Sequence, residues 1–167
     1  MEPSLAGIYL QVARSRLVIH QTEQLRACLQ ALDDQQIWWR PNEGANAIGN
    51  LVLHLCGSTR YYIGHVLGGS GYVRDRDAEF AERTMIPKTE LLQRVNATVA
   101  EADRVLSSFD PDRLLDTVES MGKPTSCAQV ILHALIHYAA HVGQIVYTTK
   151  ILKAGALDDL WRKTPLS

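Results

Sequence analysis

The stretch "SCAQVILHALIHYAAHVGQIVYTTKILKAG", residues 126–155, decides the fold. Ser126 and Gln129 stand in the S-x-x-Q spacing of a capping box, which marks a helix start. Lys150 and Lys153 lie where cations favour a helix C-terminus, and Gly155 suits the stop. The segment between them looks built for a hydrophobic core, yet it carries His133, His137 and His141. Why a core helix should hold three imidazoles is the question the rest of the chain has to answer.

Three more helices are expected upstream. The first runs from about Leu5 to Leu32 behind Ser4 as N-cap, with Leu10, Ala13, Leu17, Leu25, Cys28, Leu29 and Leu32 spaced as an apolar stripe. The second runs from about Ala47 to Leu67 behind Asn46, with Ile48, Leu51, Leu55, Tyr62 and Val66 on its apolar side. The third opens near Pro87, a residue tolerated in the first helical turn, and ends near Phe109. Between the second and third lies a long connection, Gly68 to Ile86. At ~3.3 Å per extended residue it can run back along a helix of ~30 Å, so the two helices can lie parallel. Its "RDRDAEF" run (residues 74–80) reads most simply as a solvated loop; a functional alternative turns Arg74 or Arg76 toward an anionic substrate. "TVESMGKPT" (117–125) suits a small hairpin, and the "WWR" of Trp38–Arg40 suits packing at the bundle's end. With no internal repeat, the expectation is an all-α four-helix bundle, one domain over residues 1–167.

Composition narrows the partners. A net charge of −1 and a pI near 6.6 argue against nucleic acid or an anionic membrane, both of which select a basic face. No apolar run is expected to serve as a membrane span, and Glu2 with Pro3 does not suit a signal peptide. Cys28, Cys56 and Cys127 are odd in number and lack CxxC spacing, which favours a reducing cytoplasm. Each suits a small buried residue, although Cys127 falls in a first helical turn, where the dipole favours thiolate.

Residues four apart share a helix face, about 40° and ~6 Å from one another, so two such imidazoles can converge on one ion. His133–His137 and His137–His141 both qualify, but the outer two are ~12 Å apart and cannot share an ion. Spacing leaves the choice of pair open. A third ligand must come from another helix, and His54, flanked by leucines in "NLVLHLCGS" (50–58), is the best placed. His65 lies ~16 Å further along that helix, and His20 has no partner at helical spacing. Three neutral imidazoles suit zinc or nickel, with iron a further option, and leave a coordination position open. The position that holds the glutamate base in the H-E-x-x-H motif is Tyr138 here, and there is no nucleophile elbow, P-loop or dinucleotide fingerprint.

"GNLVLHLCGS" (49–58) together with "HYAAHVGQIVYTTKIL" (137–152) resembles the DinB superfamily of bacterial four-helix-bundle metalloproteins. The "RDRDAEF", "IPKTELL" and "GQIVY" segments resemble a branch of uncharacterised small proteins within it, the likeness covering about Ile8 to Ala154. The resemblance implies an up-down-down-up bundle and a metal held by His54, His137 and His141, with His133 lining the core or supporting the ligands. It also implies a homodimer. Relatives with known activity include transferases of low-molecular-weight thiols and mycothiol-dependent isomerases; others are suggested to be hydrolases, or are known only as DNA-damage-induced proteins.

Two classes of function follow. The first is a metalloenzyme whose open position takes a small-molecule substrate. Thiol transfer is preferred over hydrolysis, since no carboxylate base neighbours the histidines in sequence, although Glu79 or Asp77 could fold over them. The second is a non-catalytic dimeric stress or interaction protein. A closed structural site is disfavoured because neither Cys56 nor Cys127 is placed to complete it.

Overall fold

The computed structural model describes residues 4–163; Glu2, Pro3 and the outermost ends of the 1–167 assignment lie outside the described residues. Helix α1 runs through Leu5–Arg14, a π-helical stretch over Ser15–Gln21, and Thr22–Ala31. Ser4 caps it as expected, its Oγ accepting from the Gly7 amide at 3.1 Å. A short α2, Asp34–Trp38, follows. Helix α3 spans Ile48–Thr59 and continues as a π-helical Arg60–Leu67, α4 is Arg76–Ala81 and α5 is Lys88–Ser107. A 3-10 turn, Pro111–Leu115, leads into the expected hairpin, β1 (Thr117–Ser120) paired antiparallel with β2 (Lys123–Ser126). Helix α6 is Cys127–Leu152, opened by the Ser126–Gln129 capping box, and α7 is Asp158–Lys163.

Cross-helix bonds give the directions. Arg14 meets Asp103 and Arg26 meets Asn96, so α1 and α5 run antiparallel. Tyr9 bonds the Ala128 carbonyl and Thr22 meets Tyr138, so α1 and α6 ascend together. Ser58 faces His137 while Tyr62 faces His133, which sets α3 antiparallel to α6. The core between them is aliphatic, with Leu25, Leu29, Val52, Leu55, Leu91, Val95, Ile131, Val142 and Ile145 buried from the four long helices. Burial of such residues, at roughly 1.5–3 kcal/mol each, is the main stabilising term.

Several expectations are corrected. The cap of α3 is Ala47, not Asn46; Asn50 satisfies the Ala47 amide through its side-chain oxygen at 3.3 Å. Asn50 is fully buried because its amide also holds the next connection, donating to the Glu79 and Glu82 carbonyls at 3.1 Å each. The "RDRDAEF" run is therefore not a solvated loop. It forms α4, capped by Asp75, which accepts from the Ala78 amide at 3.0 Å. By length and composition α6 is apolar enough to cross a bilayer, a test that a core helix also passes, and its Val130, Ile131, Ala134 and Val142 are buried in the bundle. Cys127 does open α6, yet burial pushes its thiol pKa up, outweighing the opposing charge of Arg113. Trp38 packs at the bundle's end as expected, donating to the Ile86 carbonyl at 2.9 Å.

Candidate metal centre

Helix α6 places His137 and His141 one turn apart, and the antiparallel α3 carries His54 alongside them. Their ligating nitrogens all lie within 4.8 Å of one another. His54 is buried and the other two are half-buried, so the group sits at the bundle's edge with one side toward solvent.

Each ring is held from behind. His54 Nδ1 lies 2.9 Å from Glu79 Oε2. His137 Nδ1 lies 3.2 Å from Ser58 Oγ, and His141 Nδ1 lies 2.8 Å from Gln144 Oε1. The carboxylate and the amide oxygen can only accept, so an Nδ1 proton on His54 and His141 would donate to them and leave Nε2 bare. Protein partners on the outer nitrogen are how metal-binding imidazoles are oriented and made more basic. The inner geometry fits the same role. His54 Nε2 and His137 Nε2 stand 3.0 Å apart, a repulsive approach for two lone pairs unless a proton or cation lies between them. Ligands of a tetrahedral ion at ~2.0–2.1 Å are ~3.3 Å apart, so small ring rotations bring the 4.8 Å group to that spacing.

Electrostatics disfavour the charged form of the two α6 histidines. Burial, then the neighbouring His141, His54 and His133, lower the His137 pKa to about 4. Burial also lowers that of His141, against the hydrogen bond it donates to Gln144. Burial raises Glu79, but the Arg74 guanidinium and His54 outweigh it and hold its carboxyl below the usual range. Arg74 grips both Glu79 oxygens at 2.8 Å, and its Nη2 reaches 3.0 Å from His54 Nδ1.

The remaining expected residues are sorted by the same geometry. His133 is exposed; it stacks on His137 with ring centroids 5.8 Å apart, so it supports a ligand rather than lining the core. His65 is exposed and bonds the Ser70 carbonyl, and His20 stands apart on α1. Asp77 is exposed. Glu79 does fold inward, but behind His54 rather than over the open face. Arg74 is spent on Glu79, whereas Arg76 is exposed above the Phe80 ring. Sequence reasoning missed Ser58, four residues after His54 on the same face, and Gln144, three after His141. It also missed Gly57, where a Cβ would overlap the Glu79 carboxylate. A cavity of about 510 Å³ between α3, α4 and α5 lies across Glu79 from the histidines and includes none of them.

A DinB-like protein from Bacillus cereus has the same fold, with a TM-score of 0.68 and 14% identity over 91% of this chain and 95% of its own. A conserved protein from Enterococcus faecalis gives a TM-score of 0.69 and 16% identity over 86% of this chain and 97% of its own. At these identities the likeness is one of fold. Comparison with curated proteins gave no match. The described helical bundle thus has the fold of a DinB-like protein, and the chain, matched over residues 4–162, is a member of the family described as "Protein of unknown function (DUF1572)".

Proposed function

We propose that His54, His137 and His141 hold one divalent ion (zinc or nickel, with iron a further option) with a coordination position left for a small molecule, and that the protein is a metal-dependent enzyme of thiol-transfer type. The observation that carries the metal is the triad itself: three imidazoles whose outer nitrogens are occupied and whose inner nitrogens converge. When bound, such an ion lowers the pKa of a thiol or water in its open position. The chain's own residues do the rest. Ser58, Glu79 and Gln144 fix the rings, and burial disfavours the imidazolium form of His137 and His141. The preference for a thiol over hydrolysis rests on Glu79. Among the described residues it is the carboxylate that hydrogen-bonds the triad, and it is engaged by His54 and Arg74 instead of facing the open side as a base. We place the protein in the reducing cytoplasm, consistent with three free cysteines, and as a homodimer.

The test is elemental analysis of untagged protein. One divalent ion per chain is expected, lost in His54→Ala, His137→Ala or His141→Ala and kept in His133→Ala. Loss in His133→Ala with retention in His141→Ala would move the pair by one turn. In cobalt-substituted protein a small thiol should add a charge-transfer band, saturating at one thiol per metal. Indifference to thiols with ester or amide hydrolysis would favour a hydrolase; indifference to both would favour a non-catalytic protein.

A further inference from the structure

One turn and more beyond His54, a groove of about 350 Å³ opens between the π-helical end of α3, the segment leading into α4 and the tip of the hairpin. Its apolar walls are Tyr61, Val73 and Met121, and its cationic or basic groups are His65, Arg74 and Arg76. No carboxylate lines it. Its volume lies within the range of small-molecule sites. Two features separate it from an ordinary surface dent. Val73 and Met121 are 88% and 60% exposed, large apolar side chains held in water beside two guanidinium groups. Arg76 has no ion-pair partner among the described residues; its guanidinium rests 5.0 Å from the Phe80 ring centroid. Phe80 in turn packs on His54, centroids 4.4 Å apart, and Arg74 is common to the groove and the triad, 3.0 Å from His54 Nδ1.

We infer that this groove binds a small molecule with an aromatic or other apolar body and a terminal oxyanion, paired with Arg76. The groove and its ligand class stand on their own lining, apart from the metal-centre proposal. Tyr61 and Met121 supply contact to an apolar body. Arg76 supplies the fork that matches a carboxylate or phosphate. Arg74, already engaged by Glu79, fixes the wall between groove and triad.

The experiment uses full-length protein labelled at the methionine methyl groups and titrated with phenylacetate, phenyl phosphate and the neutral phenylethanol, with metal and without. Met121 reports on the groove, while Met85 serves as the reference away from its lining. The Met121 signal is expected to shift saturably with an oxyanion in both forms of the protein, the tighter of the two anions identifying carboxylate or phosphate. Phenylethanol should bind at least tenfold more weakly, about the effect of one charge-assisted hydrogen bond. Arg76→Ala should reduce anion binding about tenfold and Arg76→Glu should abolish it, both with unchanged thermal midpoints. Equal response to anion and alcohol, unchanged anion binding in Arg76→Glu, or a silent Met121 would overturn the inference. Failure of the metal proposal is read separately, as missing metal with anion binding intact.

Discussion

At the scale of single residues, spacing made a histidine pair on α6 with His54 visible, while the choice of His137 and His141 over His133 and His137 came from the resemblance. An i,i+4 pair on an apolar helix and a histidine among leucines are hard to explain as solvated side chains, and the structure gathers those three rings within 4.8 Å. The residues behind the rings were less visible. A serine at i+4 or a glutamine at i+3 is common on any helix, so Ser58 and Gln144 gain meaning only once the rings are placed. The pKa of His137 gives this scale its prediction. In the unfolded chain the imidazole titrates near ~6.5, whereas in the fold it titrates at about 4. Between these values the unfolded state binds more protons, so stability rises with pH there. The contribution is fully present above about 6.5 and is lost as pH falls toward 4. Metal-free protein should therefore lose thermal midpoint steadily between about pH 6.5 and 5, above the carboxylate range, and His137→Gln should flatten that slope. Identical slopes in the two proteins would remove His137 as the source.

At the scale of elements, the four long helices were legible because each combines a periodic apolar stripe with terminal signals that local physics enforces. Helix α4 was not. It is six residues long and charged, so it has no stripe, and the tertiary contacts that hold it come from Asn50 and Glu79. Read from sequence, its alternating charges suit solvent equally well. Its docking depends on Gly57, since any Cβ there meets the Glu79 carboxylate. Gly57→Ala should expel Glu79 from behind His54 without touching a ligand, and Glu79→Gln should remove the same charge directly. Loss of such outer partners typically costs ~10–100-fold in metal affinity, and that reduction is expected in both variants by chelator competition. Leaving Arg74 buried without its partner should also destabilise Glu79→Gln. Wild-type affinity in both would mean that α4 serves packing alone.

At the scale of the whole molecule, the exposed apolar residues are not scattered. Leu5, Ile8, Val12 and Ile19 recur along α1 at helical spacing, and Leu132, Ile136, Tyr147 and Ile151 recur along α6. The α1 stripe lies on the flank of Tyr9, which bonds α6, and away from Arg14, which pairs with α5. Two helices that ascend together thus present one joined apolar face, on the side of α6 away from the core. Contiguous faces of this kind mark association surfaces, and a two-fold axis through one would pair it with itself. A net charge of −1 leaves little repulsion between copies. The expected assembly is a homodimer by sedimentation equilibrium. Val12→Glu with Tyr147→Glu should make it monomeric while metal content stays at the wild-type level, because neither residue touches the triad. Exposed substitutions of this kind alter monomer stability by only about 0.5 kcal/mol, so dissociation would report on the interface. A variant that remains dimeric would place the two-fold axis elsewhere, and an intact chain that stays monomeric at high concentration would remove the second copy as the occupant of this face.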